Sequence, residues 1–160
     1  MTVAIAVPLK KRIILGADSR CTTGSKLSGT VSKIHRIGSA AVVGAGSLGA
    51  VQATVSAAVS ERVQTAQEFA ALARQVHGSD ETEWLWAGPD GLWEVDGQGG
   101  AVQMFEPCSV GSGGQYALGV LAGKGPLKGK TQVSSAVLDA LELTGAAFVD
   151  CGAPYEVVLV

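Results

Sequence analysis

The sequence has little charge. Only 16% of its 160 residues are Asp, Glu, Lys or Arg, well below the usual share of a soluble domain. The formal net charge is -2, so the basic excess that nucleic-acid binding needs is missing. Histidine occurs only at His35 and His77, and cysteine only at Cys21, Cys108 and Cys151, with no CxxC pair. A zinc centre and a disulfide framework are therefore not expected; scattered thiols read as buried and reduced, in a cytoplasmic protein. The GxxxxGK[ST] phosphate loop is absent, so nothing here reads as an ATP site. No charged leader precedes TVAIAVPL, which excludes a signal peptide. The uncharged stretch between Arg36 and Glu61 is too poor in Leu, Ile and Phe to insert into a membrane.

What remains is apolar and rich in glycine. Hydrophobic residues make up 47% and there are 22 glycines, without the G-X-Y period of collagen. Residues 1–160 are long enough for one domain with its own core. A surface this short of charge is expected to be partly hidden in subunit interfaces.

Residues 2–8 and 12–17 read as strands of a hairpin turning at Lys10-Lys11. Residues 19–28, with Thr22, Thr23 and Gly24, read as a loop. Short strands follow at 33–37 and 40–46. Leu48, Val51, Val55, Val59 and Val63 fall at helical spacing. Thr65 and Glu68 form a capping box for a second helix carrying Phe69, Leu72 and Val76, and His77-Gly78 ends it. Strands return at 84–86, 92–95 and 102–105, with Pro89-Asp90-Gly91 as a turn. Helical patterns over 115–121 and 131–143 come next, Gly145 being the expected stop, and a strand over 155–160 closes the chain. Strand blocks and helix pairs alternate as units, which predicts helix pairs covering sheets in an α+β fold.

Two glycine motifs stand between a strand and a helix. Gly44-x-Gly46-x-x-Gly49 has the form of a dinucleotide fingerprint. Against that use, no second strand ends in an acidic residue about 20 positions on; that region, near Glu61–Glu68, is helical. Small residues that let a helix pack close to a sheet are the favoured reading of the motif. The second motif is Gly111-Ser112-Gly113-Gly114.

Five segments in order carry a resemblance over nearly the whole chain. They are TVAIAV (2–7), ILGADSR (14–20), SKIHRI (32–37) with Gly44-Ala45-Gly46, GSGGQYALG (111–119) and ALELTGAAFVDCG (140–152). Together they resemble the proteasome β-type subunits and the HslV-like peptidases. The resemblance implies the four-layer αββα sandwich of the N-terminal-nucleophile hydrolases. It also implies a threonine peptidase that works on unfolded polypeptide inside a homo-oligomeric ring, single or double, with a separate AAA+ unfoldase as partner.

The chemistry can be argued from the residues. A threonine hydroxyl needs a base, and an α-amine titrates near pH 8, where it can serve as one. Thr2 would carry both groups once Met1 is removed. By the resemblance, Asp18 and Lys33 are the carboxylate and lysine beside that nucleophile. Gly46 offers the oxyanion its N–H, Ser112 contacts the amine, and Asp150 helps to orient it. Cys21, Val31 and Gly44 would line the pocket before the scissile bond, with room left by the glycine for a large apolar residue. Carbonyls of Gly145, Phe148 and Cys151 would hold a monovalent cation such as sodium; the chemistry itself requires no cofactor. Taken singly each residue is ordinary: Thr2 is a β-former, Asp18 and Ser112 turn residues, Lys33 and Asp150 solvated charges. A catalytically silent scaffold subunit of the same fold is the alternative, and it expects Met1 to be retained.

Overall fold

The computed structural model describes residues 2–23, 26–78 and 81–160. Met1 and Gly24 lie outside them. The first sheet holds β1 (Ala4–Pro8) and β2 (Ile13–Asp18), flanked by β10 (Cys108–Val110) and β11 (Tyr155–Leu159), in the order β10-β1-β2-β11. The second holds β5 (Ile34–Ile37), β6 (Ala40–Ala45), β7 (Glu83–Gly88), β8 (Gly91–Asp96) and β9 (Ala101–Met104) as a meander. Every pairing is antiparallel.

Strand alternation explains the layers. Ala4, Ala6, Leu15 and Ala17 turn towards Ala41, Val43, Leu85 and Ala87 and form the core between the sheets. The intervening Val3, Ile5, Val7 and Ile14 face the other way, onto α3 (Gly114–Gly123) and α4 (Gly129–Ala147). Val42, Trp84 and Trp86 likewise leave the second sheet and pack on α1 (Leu48–Glu61) and α2 (Ala66–Val76). Phe69 of α2 meets the Trp84 ring edge-on, with centroids 5.1 Å apart. The expected αββα sandwich is the fold observed.

Local signals and structure agree at α2. Thr65 accepts from the Glu68 N–H, Glu68 accepts from the Thr65 N–H, and both halves of the capping box are present. On α1 the expected stripe drifts. Successive steps of four residues advance about 40° around a helix, so Val51 and Val55 are buried, Ala58 replaces Val59 on the inner face, and Val59 is half exposed.

Two expectations change, and one strand was not foreseen. Residues 19–28 contain not a loop but the hairpin of β3 (Arg20–Thr23) and β4 (Lys26–Thr30), whose strands, among the described residues, pair with each other alone. Its base is closed by the Val31 N–H donating to the Ser19 carbonyl, 2.8 Å. Gly145 does not stop α4, which continues to Ala147. It is a glycine because a Cβ there would overlap the Tyr155 hydroxyl of β11. β10 was hidden by its three-residue length; it pairs with β1 and brings the 111–114 turn to the chain's beginning.

The 36–61 stretch divides into β5, β6 and α1, and among the described residues no helix is long and apolar enough to cross a membrane. The dinucleotide reading of Gly44–Gly49 fails on topology. β6 runs antiparallel to both neighbours, β5 and β7, where the fingerprint needs a parallel βαβ unit.

Candidate active site

The β1–β2 ladder extends one pair beyond β1, to Val3 and Asp18. The Asp18 N–H donates to the Val3 carbonyl at 3.1 Å, and the Val3 N–H donates to Asp18 Oδ1 at 3.0 Å. This fixes Thr2 at the head of β1 beside the carboxylate ending β2. Lys33 arrives from the other sheet, one residue before β5. Its Nζ donates to Asp18 Oδ1 at 2.8 Å and to Thr2 Oγ1 at 3.2 Å. Asp18 is fully buried, and Thr2 and Lys33 are more than nine-tenths buried.

A charge so placed must be compensated. Asp18 Oδ2 accepts from the backbone N–H groups of Arg20 and Gly152, each at 3.2 Å. With Val3 and Lys33 the carboxylate therefore has four donors. Through Nζ, Lys33 joins this carboxylate to the threonine oxygen.

The turn between β10 and α3 closes over Thr2. The Gly113 N–H donates to the Thr2 carbonyl at 3.3 Å. Gly111, at φ 84°, lies so close to that carbonyl that a Cβ would overlap it. Gly46 follows the last ladder residue of β6 at φ 129°, where a Cβ would stand 2.5 Å from the Glu81 carbonyl. Only glycine suits these two places.

Thr2 and Gly46 line two cavities. One, of about 170 Å³, also has Arg20, Cys21, Val31, Lys33, His35 and Gly44 in its wall. The other, of about 440 Å³, adds Glu81, Glu83, Gly111 and Ser112. Thus Thr2, Asp18, Lys33, Gly46 and Ser112 come together, and Cys21, Val31 and Gly44 line the smaller cavity. Gly44 does not enlarge it as expected. A Cβ there would meet the Trp84 ring at 2.5 Å, so the missing side chain makes room for tryptophan. Burial favours the neutral His35 ring and lowers its pKa, against an opposing pull from Glu156.

Asp150 is half-buried in the turn after α4, and among the described residues no hydrogen bond joins it to Thr2. Its neighbour Cys151 is buried, and its thiol is pushed up to about 11, chiefly by burial and next by Asp18. It stays a thiol at neutral pH and does not compete as nucleophile.

The same turn bears on the expected cation. The Phe148 carbonyl accepts from the Cys151 N–H at 3.0 Å. The Arg20 guanidinium donates to the Val149 carbonyl and lies against Gly152. Of the carbonyls expected to hold a cation, that of Phe148 is thus engaged by a backbone N–H, and the Arg20 guanidinium sits in the same turn. Among the described residues no His, Cys, Asp and Glu group could hold a metal ion. Arg20 is the site residue that spacing did not reveal. Its only sequence signal is its place in ADSR, two residues after Asp18.

A proteasome subunit family model matches residues 2–70, less than half of the chain. No curated protein sequence matches it. The fold is shared with BPH from Thiobacillus denitrificans in complex with epoxomicin, at TM-score 0.78 and 20% identity over 99% of this chain and 98% of that one. It is shared with eukaryotic HslV from Trypanosoma brucei, at TM-score 0.76 and 17% identity over 99% and 98%. Anbu, the ancestral β-subunit, from Yersinia bercovieri superposes at TM-score 0.81 and 19% identity over 99% of this chain and 81% of that one.

The four-layer αββα sandwich is therefore the fold of these solved structures. Its sequence over residues 2–70 resembles the proteasome subunit family, and its fold throughout is similar to that of BPH and HslV.

Proposed function

We propose that the chain is a threonine endopeptidase whose nucleophile is Thr2 after removal of Met1. One observation carries this reading: Lys33 Nζ bridges Thr2 Oγ1 and the fully buried Asp18. A silent subunit gains nothing from a buried charged pair aimed at a hydroxyl, whereas a nucleophile gains a cation that favours its ionised form.

The freed Thr2 amine takes the hydroxyl proton as Oγ1 attacks the scissile carbonyl carbon. The oxyanion forms beside Gly46, whose N–H is the expected donor. The C–N bond breaks, and the leaving amine takes the proton from the Thr2 ammonium. An ester between Thr2 Oγ1 and the acyl half remains. Water, deprotonated by the same amine, hydrolyses it and releases a carboxylic acid. Ser112 and Asp150 are assigned to holding the amine, and Arg20 to holding the turn that gives Asp18 the Gly152 N–H. No step draws on a bound cation.

The related BPH structure is a complex with epoxomicin, a reagent class that captures an N-terminal hydroxyl and amine together. That supports testing the same chemistry here. The substrate class is unfolded polypeptide, the assembly a homo-oligomeric ring, and the partner an AAA+ unfoldase, in the cytoplasm. The test is hydrolysis of a permanently unfolded, fluorescently labelled protein by the wild type and by Thr2→Ala. Loss of hydrolysis to background in the variant is expected. Equal hydrolysis by both, or none by either with Met1 retained, overturns the reading, the second result favouring a scaffold subunit.

A further inference from the structure

The two cavities that meet at Thr2 differ in charge. The smaller contains Arg20, Lys33 and His35, with Val31, Leu48 and Val51. Lys33 is balanced by Asp18; Arg20 adds a cation to this wall while its guanidinium donates to the Val149 carbonyl, and His35 is one available on acidification. The larger contains Glu81 and Glu83, and no basic side chain among the described residues. Its acidic wall is tied to the nucleophile. Glu83 Oε2 accepts from the Gly111 N–H at 3.1 Å, and Gly111 is pressed against the Thr2 carbonyl. Glu83 lies on the face of β7 that also carries Leu85 and Ala87 into the intersheet space. Its field reaches Glu94 on β8, whose carboxyl is pushed up by burial and then by Glu83.

A peptide bond has the same polarity when it is split. The acyl half leaves as a carboxylate, and the other half as an α-ammonium group titrating near pH 8. Of the two cavities the glutamate-lined one is the better match for the emerging ammonium group, which puts the amine side there and the acyl side towards Arg20. Resting on the peptidase reading, we propose that Glu83, with Glu81, is a specificity determinant that favours Lys or Arg immediately after the scissile bond. Both residues line the cavity beside Thr2 into which that side chain and the new ammonium group would emerge.

The test uses internally quenched peptides that differ only in the residue after the scissile bond: Lys, Ala or Glu. They are given to the Met1-processed protein, to Glu83→Gln and to Glu81→Gln. The wild type is expected to favour Lys over Glu by about tenfold in kcat/KM, mostly through KM, as for accessible charges a few ångströms apart. Raising salt from about 50 to about 500 mM should shrink the ratio, because such charges are screened. Glu83→Gln should reduce it to about twofold or threefold, with a smaller effect from Glu81→Gln, on the same physical ground. Thr2-dependent cleavage at equal rates for all three peptides overturns this inference and leaves the peptidase reading intact. So does an undiminished ratio in both variants. Absence of Thr2-dependent cleavage overturns both.

Discussion

Removing Lys33 would strike fold and chemistry through one atom. Its Nζ lies 2.8 Å from Asp18 Oδ1 and 3.2 Å from Thr2 Oγ1. In Lys33→Met the fully buried Asp18 loses its counter-charge and keeps the N–H donors of Val3, Arg20 and Gly152. Breaking a buried ion pair from one side costs about 3–5 kcal/mol. Those donors still solvate the carboxylate, so the lower end applies, about 3 kcal/mol. In a chain of this size that is a fall in Tm of about 6–12 °C. Urea unfolding of wild type, Lys33→Met, Asp18→Asn and the double variant gives the coupling directly. The double variant should be less destabilised than the sum of the singles by at least about 1 kcal/mol, since neither charge is then left alone. Peptide hydrolysis by Lys33→Met should be lost at a temperature where the variant is fully folded. A destabilisation below about 1 kcal/mol with additive singles would refute the argument that this pair is a buried, mutually dependent unit.

Gly46→Ala adds a Cβ that would stand 2.5 Å from the Glu81 carbonyl at φ 129°; it should destabilise by about 2 kcal/mol and lower kcat by about a hundredfold, read by urea unfolding and steady-state kinetics. Thr65→Ala removes the oxygen that accepts the Glu68 N–H and should lower stability by about 1 kcal/mol, with peptide hydrolysis unchanged because α2 lies outside the site. His35 titrates lower in the folded protein than its ordinary 6.5, owing to burial. The unfolded chain therefore takes up its proton first as pH falls. The contribution is fully present above pH 6.5 and is lost below it, down to the folded-state value. A Tm-against-pH curve for His35→Gln should lack that part of the wild-type decline.

The layers were legible because the signals are local. Alternation in β1, β2 and β6 assigns each side chain to a face, and Thr65 with Glu68 marks one helix start to the residue. Elements held by distant contacts were not legible. β10 is only three residues long and exists by pairing with β1. Gly145 looked like a helix stop because nothing nearby in sequence announces Tyr155 above it. The active constellation behaves the same way. Asp18 and Lys33 come from different sheets, and no spacing rule predicts their meeting, so ordered motifs were needed to nominate them. Arg20 and Glu83 are single charges outside any periodic pattern, and their relation to Thr2 appears only when the 148–152 and 111–114 turns fold over the chain's beginning.

The central claim is that Thr2 is a free N-terminal nucleophile. Intact mass spectrometry of the purified protein, before and after epoxomicin, tests it most directly. The account predicts a protein lacking Met1 that gains one inhibitor mass, with no adduct on Thr2→Ala. A protein that keeps Met1 and gains no adduct would contradict it.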